Sequence, residues 1–195
     1  MNFQISNEIA LHPFVETDAA QIFAIVKSNY KHLRPFLQWV TPEYSLESAR
    51  EFIEKSQKEI EENTNQVFGI FYQKSLVGAI GFVGFDWENK RTEIGYWIAS
   101  DFEGKGIITK CCKYLVDYVF DELNMNRVEI RCATENNKSR AVPERLGFNL
   151  EGILRQSIWR HTRFFDMAIY AILAEEWKIS EKSVTKSFNL TTDNY

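Results

Sequence analysis

The sequence predicts a single α+β domain: a mixed, mostly antiparallel sheet flanked by helices. Three observations carry that expectation. From Gln66 to Ser100 the chain runs through QVFGIFYQ, SLVGAIGFVGF and RTEIGYWIAS, each rich in β-branched and aromatic residues. Only short polar breaks at Gln73-Lys74 and Asp86 to Lys90 separate them, which is the pattern of an antiparallel meander. Directly afterwards Ile107, Ile108, Cys111, Cys112, Leu115, Val116, Val119 and Phe120 recur at helical spacing, an amphipathic helix of about four turns. Finally, 195 residues without repeats or linkers are enough to bury one core.

The remaining elements follow in chain order. Residues 8 to 15 (EIALHPFV) alternate weakly and read as a first strand. Thr17 or Asp18 can cap a helix from about Ala19 to Ser28, with Ile22, Phe23 and Val26 on one face. KHLRPFLQWV, broken by Pro35, reads as a short helix and a loop. Ser45 precedes a charged helix, Leu46 to Glu62, whose sparse inward face is Ala49, Phe52, Ile53 and Ile60. After the meander and its helix, NRVEIRCAT alternates as a strand. Ser139 can cap a short helix to Leu146, which Gly147 ends. Two strands close the domain, about Asn149 to Ile158 and Arg163 to Leu173. Residues 1–178 form the domain, and 179–195 are a polar tail with no periodic apolar face.

Composition excludes several classes. No apolar run approaches the roughly 20 residues that span a bilayer, and MNFQISNEIALHPF lacks the basic start and apolar stretch of a signal peptide. The expected location is the cytoplasm, with no membrane partner. A net charge of -4 argues against non-specific nucleic-acid binding. Three cysteines at Cys111, Cys112 and Cys132 show no metal-binding spacing and read as small buried hydrophobes. His12, His32 and His161 are not spaced as ligands either, so no metal is expected.

The chemistry-bearing stretch is TEIGYWIASDFEGKGIITKCCKYLVDYVF. A strand passes through a loop holding Gly104 and Gly106 straight into the strongest helix. Small residues let backbone N–H groups approach a ligand, and the helix start adds its positive dipole end, a combination suited to a diphosphate. A GxG before a helix is equally a plain turn. It lacks the GKT/GKS ending of a P-loop, and its antiparallel setting disfavours a dinucleotide fold.

HLRPFLQWV, EIGYW, EGKGI, NNKSRAVPERLGF, EGILR and DMAIYAIL, in this order over about residues 8 to 173, resemble the GNAT acetyltransferase superfamily. The closest resemblance is to its RimJ/RimL-type ribosomal-protein N-terminal acetyltransferases. That resemblance implies a GNAT fold with splayed central strands. The strand holding Tyr96 to Ile98 parts from the one near Ile130 to Ala133, with acetyl-coenzyme A as co-substrate between them. The implied cofactor contacts are backbone groups of Trp97, Ile98 and Ala99, and of Gly104, Lys105, Gly106, Ile107 and Ile108, with the Asn136 side chain nearby. Two departures stand out: Glu103 where the superfamily loop carries Gln or Arg, and Ile108 where a small residue is usual. Lys105 either offsets Glu103 or is a solvated surface lysine.

Acetyl transfer needs a neutral amine, an oxyanion stabiliser and an acid for the departing thiolate. The resemblance implies a backbone N–H near Ile98 as stabiliser and Ser139 as the acid; Ser139 is also readable as a helix cap. Glu93, in EIGYW, is the candidate base through a water, or else a structural carboxylate. A second carboxylate of RimL relatives is replaced here by Ile158. Asp166 and Tyr170 match a closing DxxxY pattern, with Asp166 expected near the substrate mouth or holding a strand end. Trp39, Trp87 and Trp159 are read as packing groups or pocket lining. An α-amine titrates near 7.7–8.0 and lysine near 10.4, so neutralising lysine costs about 3.5 kcal/mol more. That difference favours a protein N-terminus as acceptor, with a small amine or a catalytically inactive coenzyme A-binding domain as alternatives. Relatives are often dimers, so a homodimer is the assembly the resemblance implies.

Overall fold

In the computed structural model, which describes residues 2–179, eight strands form one sheet in the order β1-β2-β3-β4-β5-β6-β8-β7. They are β1 (Phe3–Gln4), β2 (Ile9–Pro13), β3 (Gln66–Tyr72), β4 (Ser75–Asp86), β5 (Arg91–Ile98), β6 (Arg127–Ala133), β7 (Asn149–Arg160) and β8 (Arg163–Leu173). Every neighbouring pair is antiparallel except β5/β6, which is parallel. A parallel pair needs a long crossover, supplied by helix α4 below. The α+β expectation and the meander hold.

Helices α1 (Ala19–Ser28), α2 (Tyr30–Leu33) and α3 (Leu46–Glu61) lie between β2 and β3. α4 (Ile107–Asp121) links β5 to β6, and α5 (Asn137–Arg145) links β6 to β7. α4 buries all eight of its periodic apolar residues, in a core shared with Leu11, Phe82, Ile94 and Val128. On the other sheet face Ala19, Ile22 and Val26 of α1 meet Ala49 and Ile53 of α3. Each such side chain contributes about 1.5–3 kcal/mol by leaving water. The three cysteines are buried, as expected, and burial pushes the Cys111 thiol up to about 12 and Cys132 to about 11.

Local expectations change for β1, Asp18 and Ser139, whereas those for Pro143 and Asp166 hold. β1 was not foreseen, because two residues carry no readable period; Phe3 fixes it by packing on Phe68, Tyr114 and Tyr118. A 3-10 turn at Glu16–Asp18 runs into α1 without a break. The Asp18 carboxylate therefore reaches back to accept from Val15 N–H at 3.0 Å and caps nothing ahead of it. α5 starts two residues before Ser139: the Asn136 side chain caps it, accepting from Ser139 N–H at 3.1 Å. Asn is as good a cap as Ser, so Ser139 becomes the third helical residue. Pro143 sits inside α5 without breaking it. Asp166 holds a strand end: its Oδ1 accepts from Gln156 N–H at 2.8 Å where β7 bulges. Residues 174–179 are helical, with Trp177 Nε1 donating to Asp117 of α4 at 2.7 Å. The polar tail expected over 179–195 lies, beyond Ile179, outside the described residues.

Candidate active site

The site begins where two strands stop pairing. β5 and β6 are in register at Arg91↔Arg127, Thr92↔Val128 and Glu93↔Glu129, and no further. Beyond that point β5 stays on β4 and β6 stays on β8. The gap opens into a cleft of about 900 Å³.

Register decides which main-chain groups line the gap. Ala99 N–H donates to Val77 carbonyl at 2.9 Å, continuing the ladder Gly78↔Ile98 and Ala79↔Trp97. Alternate residues of an antiparallel strand turn toward the same partner. Trp97 and Ala99 are thus bonded to β4, while Tyr96 and Ile98 present theirs to the gap. The Ile98 carbonyl accepts from His32 Nε2 at 3.3 Å, and its N–H points into the cleft.

At the cleft's other end Gly104 and Gly106 both take φ +72, with open space where a Cβ would stand. Their requirement is conformational rather than steric, since left-handed φ costs an L side chain about 1–2 kcal/mol. Gly106 precedes α4, and no side chain caps that helix and no acid occupies its first turn. The first N–H groups of a long helix are therefore left for a ligand. Lys110, Lys138 and Arg145 line the same region. Ile107 and Ile108 point their side chains into the core, at 2% and 9% exposure, so the bulk of Ile108 does not obstruct the loop.

Glu103 is neutralised, but not by Lys105. It pairs with Lys138 of α5 and lies 3.5 Å from His32 of α2. Lys105 stacks over Phe102, 4.8 Å from the ring centroid.

Ser139 lines the cleft, and its backbone is held in an unusual way. Pro143, four residues on, has no N–H to give the Ser139 carbonyl. The Tyr96 hydroxyl crosses from β5 and donates to that carbonyl at 2.8 Å. Burial pushes the Tyr96 phenol well above 10, so it remains a donor.

Glu93 stands at the last paired position, with its carboxylate 3.4 Å from Arg131 Nε. Burial raises its pKa to about 7, opposed by Arg131 and assisted by Glu129. It faces a separate pocket of about 260 Å³ shared with Val83, Asp86, Glu129 and Arg131.

Of the residues singled out from sequence, Trp97, Ile98, Gly104, Gly106, Ile107, Ile108, Asn136 and Ser139 line the main cleft; Ala99, Lys105 and Glu93 do not. Trp39, Trp87 and Trp159 lie outside it too. Sequence reasoning missed His32, Lys110, Lys138 and Arg145, and the apolar wall Leu33, Phe36 and Leu37. Only HLRPFLQWV, an apolar stretch too irregular for a core helix, signalled part of that wall. Among the described residues no helix is long and apolar enough to cross a membrane. None of their His, Cys, Asp and Glu residues form a group able to hold a metal.

A sheet parted beside an uncapped helix start, with free main-chain groups on one lip and cations at the far end, suits an extended ligand with an anionic end. The acetyltransferase (GNAT) domain profile matches residues 8–149, and the chain belongs to that family. It is 36% identical over 176 residues to the Bacillus subtilis (strain 168) protein named "Putative ribosomal N-acetyltransferase YdaF", covering 90% of this chain and 96% of that one. It is 28% identical over 168 residues to the ribosomal-protein-serine acetyltransferase of Escherichia coli (strain K12), covering 86% and 94%. The solved structure of RimL, a ribosomal L7/L12 alpha-N-protein acetyltransferase in complex with coenzyme A, superposes with a TM-score of 0.85 at 25% identity, over 89% of this chain and 98% of that one. The protein is an acetyl-coenzyme A-dependent N-acetyltransferase, and the residues of the cleft suit that co-substrate.

Proposed function

We propose that the enzyme acetylates the N-terminal α-amine of a protein, a ribosomal protein being the leading candidate, by direct attack in a ternary complex. The observation that carries this is the acceptor end of the cleft. It is walled by Leu33, Phe36, Leu37 and Trp97, and both carboxylates that line the cleft are already engaged. Glu103 pairs with Lys138, and Glu135 takes a two-pronged bond from Arg163. A polyamine would need unpaired carboxylates; a neutral α-amine on an extended chain does not. The names of the two relatives and of RimL support the same class of acceptor.

When bound, the thioester supplies an activated acetyl carbon, and this chain's residues orient it and manage protons. Ile98 N–H is suited to polarising the acetyl carbonyl. The Ser139 hydroxyl is suited to protonating the departing sulfur. Glu93, with a pKa near 7, is matched to receiving a proton near neutrality through water, since it lies off the main cleft.

Thiol release tests the reading. Peptides with free N-termini should turn over, whereas Nα-blocked lysine peptides and polyamines should not. Turnover confined to polyamines or other small amines would overturn it.

A further inference from the structure

The cleft's acceptor end meets a corner that the chemistry above does not use. Arg34 follows α2, and Arg160 ends β7. The next residue, His161, joins the two segments: its ring donates to the Arg34 carbonyl at 2.9 Å, and its N–H donates to Gln38 Oε1 at 3.3 Å. Arg160 shares a face of the β7–β8 hairpin with Ile158 and Phe165, because alternate residues of a strand point the same way. That face packs on Phe36, two residues past Arg34 and itself part of the cleft wall.

Both arginines have a buried Nε without a hydrogen-bond partner. Among the described residues no carboxylate pairs with either. The Arg34 guanidinium has only the Tyr30 ring, 5.9 Å away, and burial depresses the Arg160 pKa with nothing opposing it. The nearby Arg163 shows the ordinary solution, a two-pronged bond to Glu135. A half-buried guanidinium without a counter-ion costs stability, and folded chains seldom leave one so. Neither lines the cleft itself, but both flank its Phe36 wall and are joined through His161, a placement suited to an anion that arrives with the ligand, and the planar fork of arginine suits a carboxylate.

We infer that Arg34 and Arg160 form an anion-reading subsite that selects acceptor peptides carrying an acidic side chain within the first few residues after the acetylated amine. This rests on the peptide reading above. An extended peptide whose amine lies in the cleft runs out along Leu33, Phe36 and Leu37 and meets the two guanidinium groups.

The test uses the full chain and serine-started peptides that differ only in Asp or Glu against Asn or Gln at positions two to five. The wild-type enzyme should favour the acidic peptides roughly tenfold or more in kcat/KM, as a charge-assisted hydrogen bond implies, and mainly through KM. Arg160→Gln and Arg34→Gln should bring that ratio toward one. Arg160→Lys should keep part of it, and Arg50→Gln, on an exposed helix face, should keep all of it. Thermal unfolding with and without acetyl-coenzyme A establishes that each variant is folded; if Arg34→Gln is not, Arg160→Gln alone decides. A wild-type ratio near one, a preference for basic peptides, or a ratio that survives Arg160→Gln would overturn the inference. If small amines turn over and no peptide does, the peptide reading fails instead. The same ratio, measured between small amines with and without a carboxylate or phosphate, then decides the arginine subsite.

Discussion

Tyr96→Phe, made alone and together with Pro143→Ala, tests how Ser139 is held. In the native chain the Ser139 carbonyl accepts its hydrogen bond from the Tyr96 hydroxyl, because Pro143 has no N–H to donate. Removing that hydroxyl leaves a part-buried acceptor without a partner, which costs about 1–2 kcal/mol. Pro143→Ala restores an amide N–H one turn along, so the same substitution in that background should cost about 0.5 kcal/mol or less. Pro143→Ala alone should be close to neutral, since Tyr96 already satisfies the carbonyl. A small loss of about 0.4–1 kcal/mol is expected from its freer unfolded chain. The coupling between the two positions is then about 1 kcal/mol, beyond the roughly 0.3–0.5 kcal/mol within which independent sites add. Urea unfolding at constant m reads all four corners of the cycle. If Tyr96→Phe costs the same with proline and with alanine at 143, the strut from β5 to α5 does not bear on Ser139 and the reasoning fails. Turnover gives a second readout: the single Tyr96 variant should lose rate through a loosened Ser139, and Pro143→Ala should return part of it.

Ser139→Ala should lower kcat by about a hundredfold with little change in the Kd for acetyl-coenzyme A; an unchanged kcat retires Ser139 as the acid. For Glu93 the raised pKa sets a sign. The native state keeps a proton that the unfolded chain gives up above its ordinary value of 4.5, so stability falls as pH rises from there to about 7. Over the same range activity should rise as the carboxylate forms, the outcome expected of Glu93 as the proposed base. Glu93→Gln should flatten both dependences, and an activity profile of unchanged shape assigns Glu93 to structure. Glu103→Gln should tighten acetyl-coenzyme A binding about 2–5-fold at low salt, because it removes a carboxylate near the phosphates and releases Lys138; calorimetry showing weaker binding would mean that the tie to Lys138 and His32 shapes the cleft. Leu115→Ala, at a fully buried position of α4, should cost about 2–5 kcal/mol, and a loss below 1 kcal/mol would contradict the packing described.

The parts of this site that were legible in the sequence are those set by local pattern. The β-branched and aromatic runs from Gln66 to Ile98 and the helical period from Ile107 to Phe120 placed the strand, the glycine loop and the helix start, which line the cleft. What was not legible depends on contacts between distant positions. Nothing in KHLRPFLQWV says that His32 reaches the Ile98 carbonyl, 66 residues away, or that Lys138 rather than the adjacent Lys105 answers Glu103. Glu93 illustrates the same limit. Its place on β5 was readable, but which face its carboxylate takes follows from where β5 stops pairing with β6.

That stopping point raises the question of why the gap persists, since closing it would recover backbone hydrogen bonds between two parallel strands. The structure answers with substitutes on both lips. On β5 the Ile98 carbonyl is taken by His32, and the Tyr96 side chain, committed to the Ser139 carbonyl, ties this lip to the start of α5. On β6 the chain keeps to β8 through Ala133, Thr134 N–H donates to the Asp166 carbonyl, and the Asn136 side chain then starts α5. By the register at Glu93↔Glu129, Ala133 and Thr134 would stand opposite Trp97 and Ile98, and both remain bonded to β8 before α5 begins at Asn137. Zipping the strands would disturb the His32 and Tyr96 bonds on the β5 lip, which offsets part of what closure would gain. The main-chain N–H of Ile98 is then the group that closure would satisfy, and in the proposed mechanism an acyl carbonyl takes that place, which would turn a defect in the sheet into a binding site.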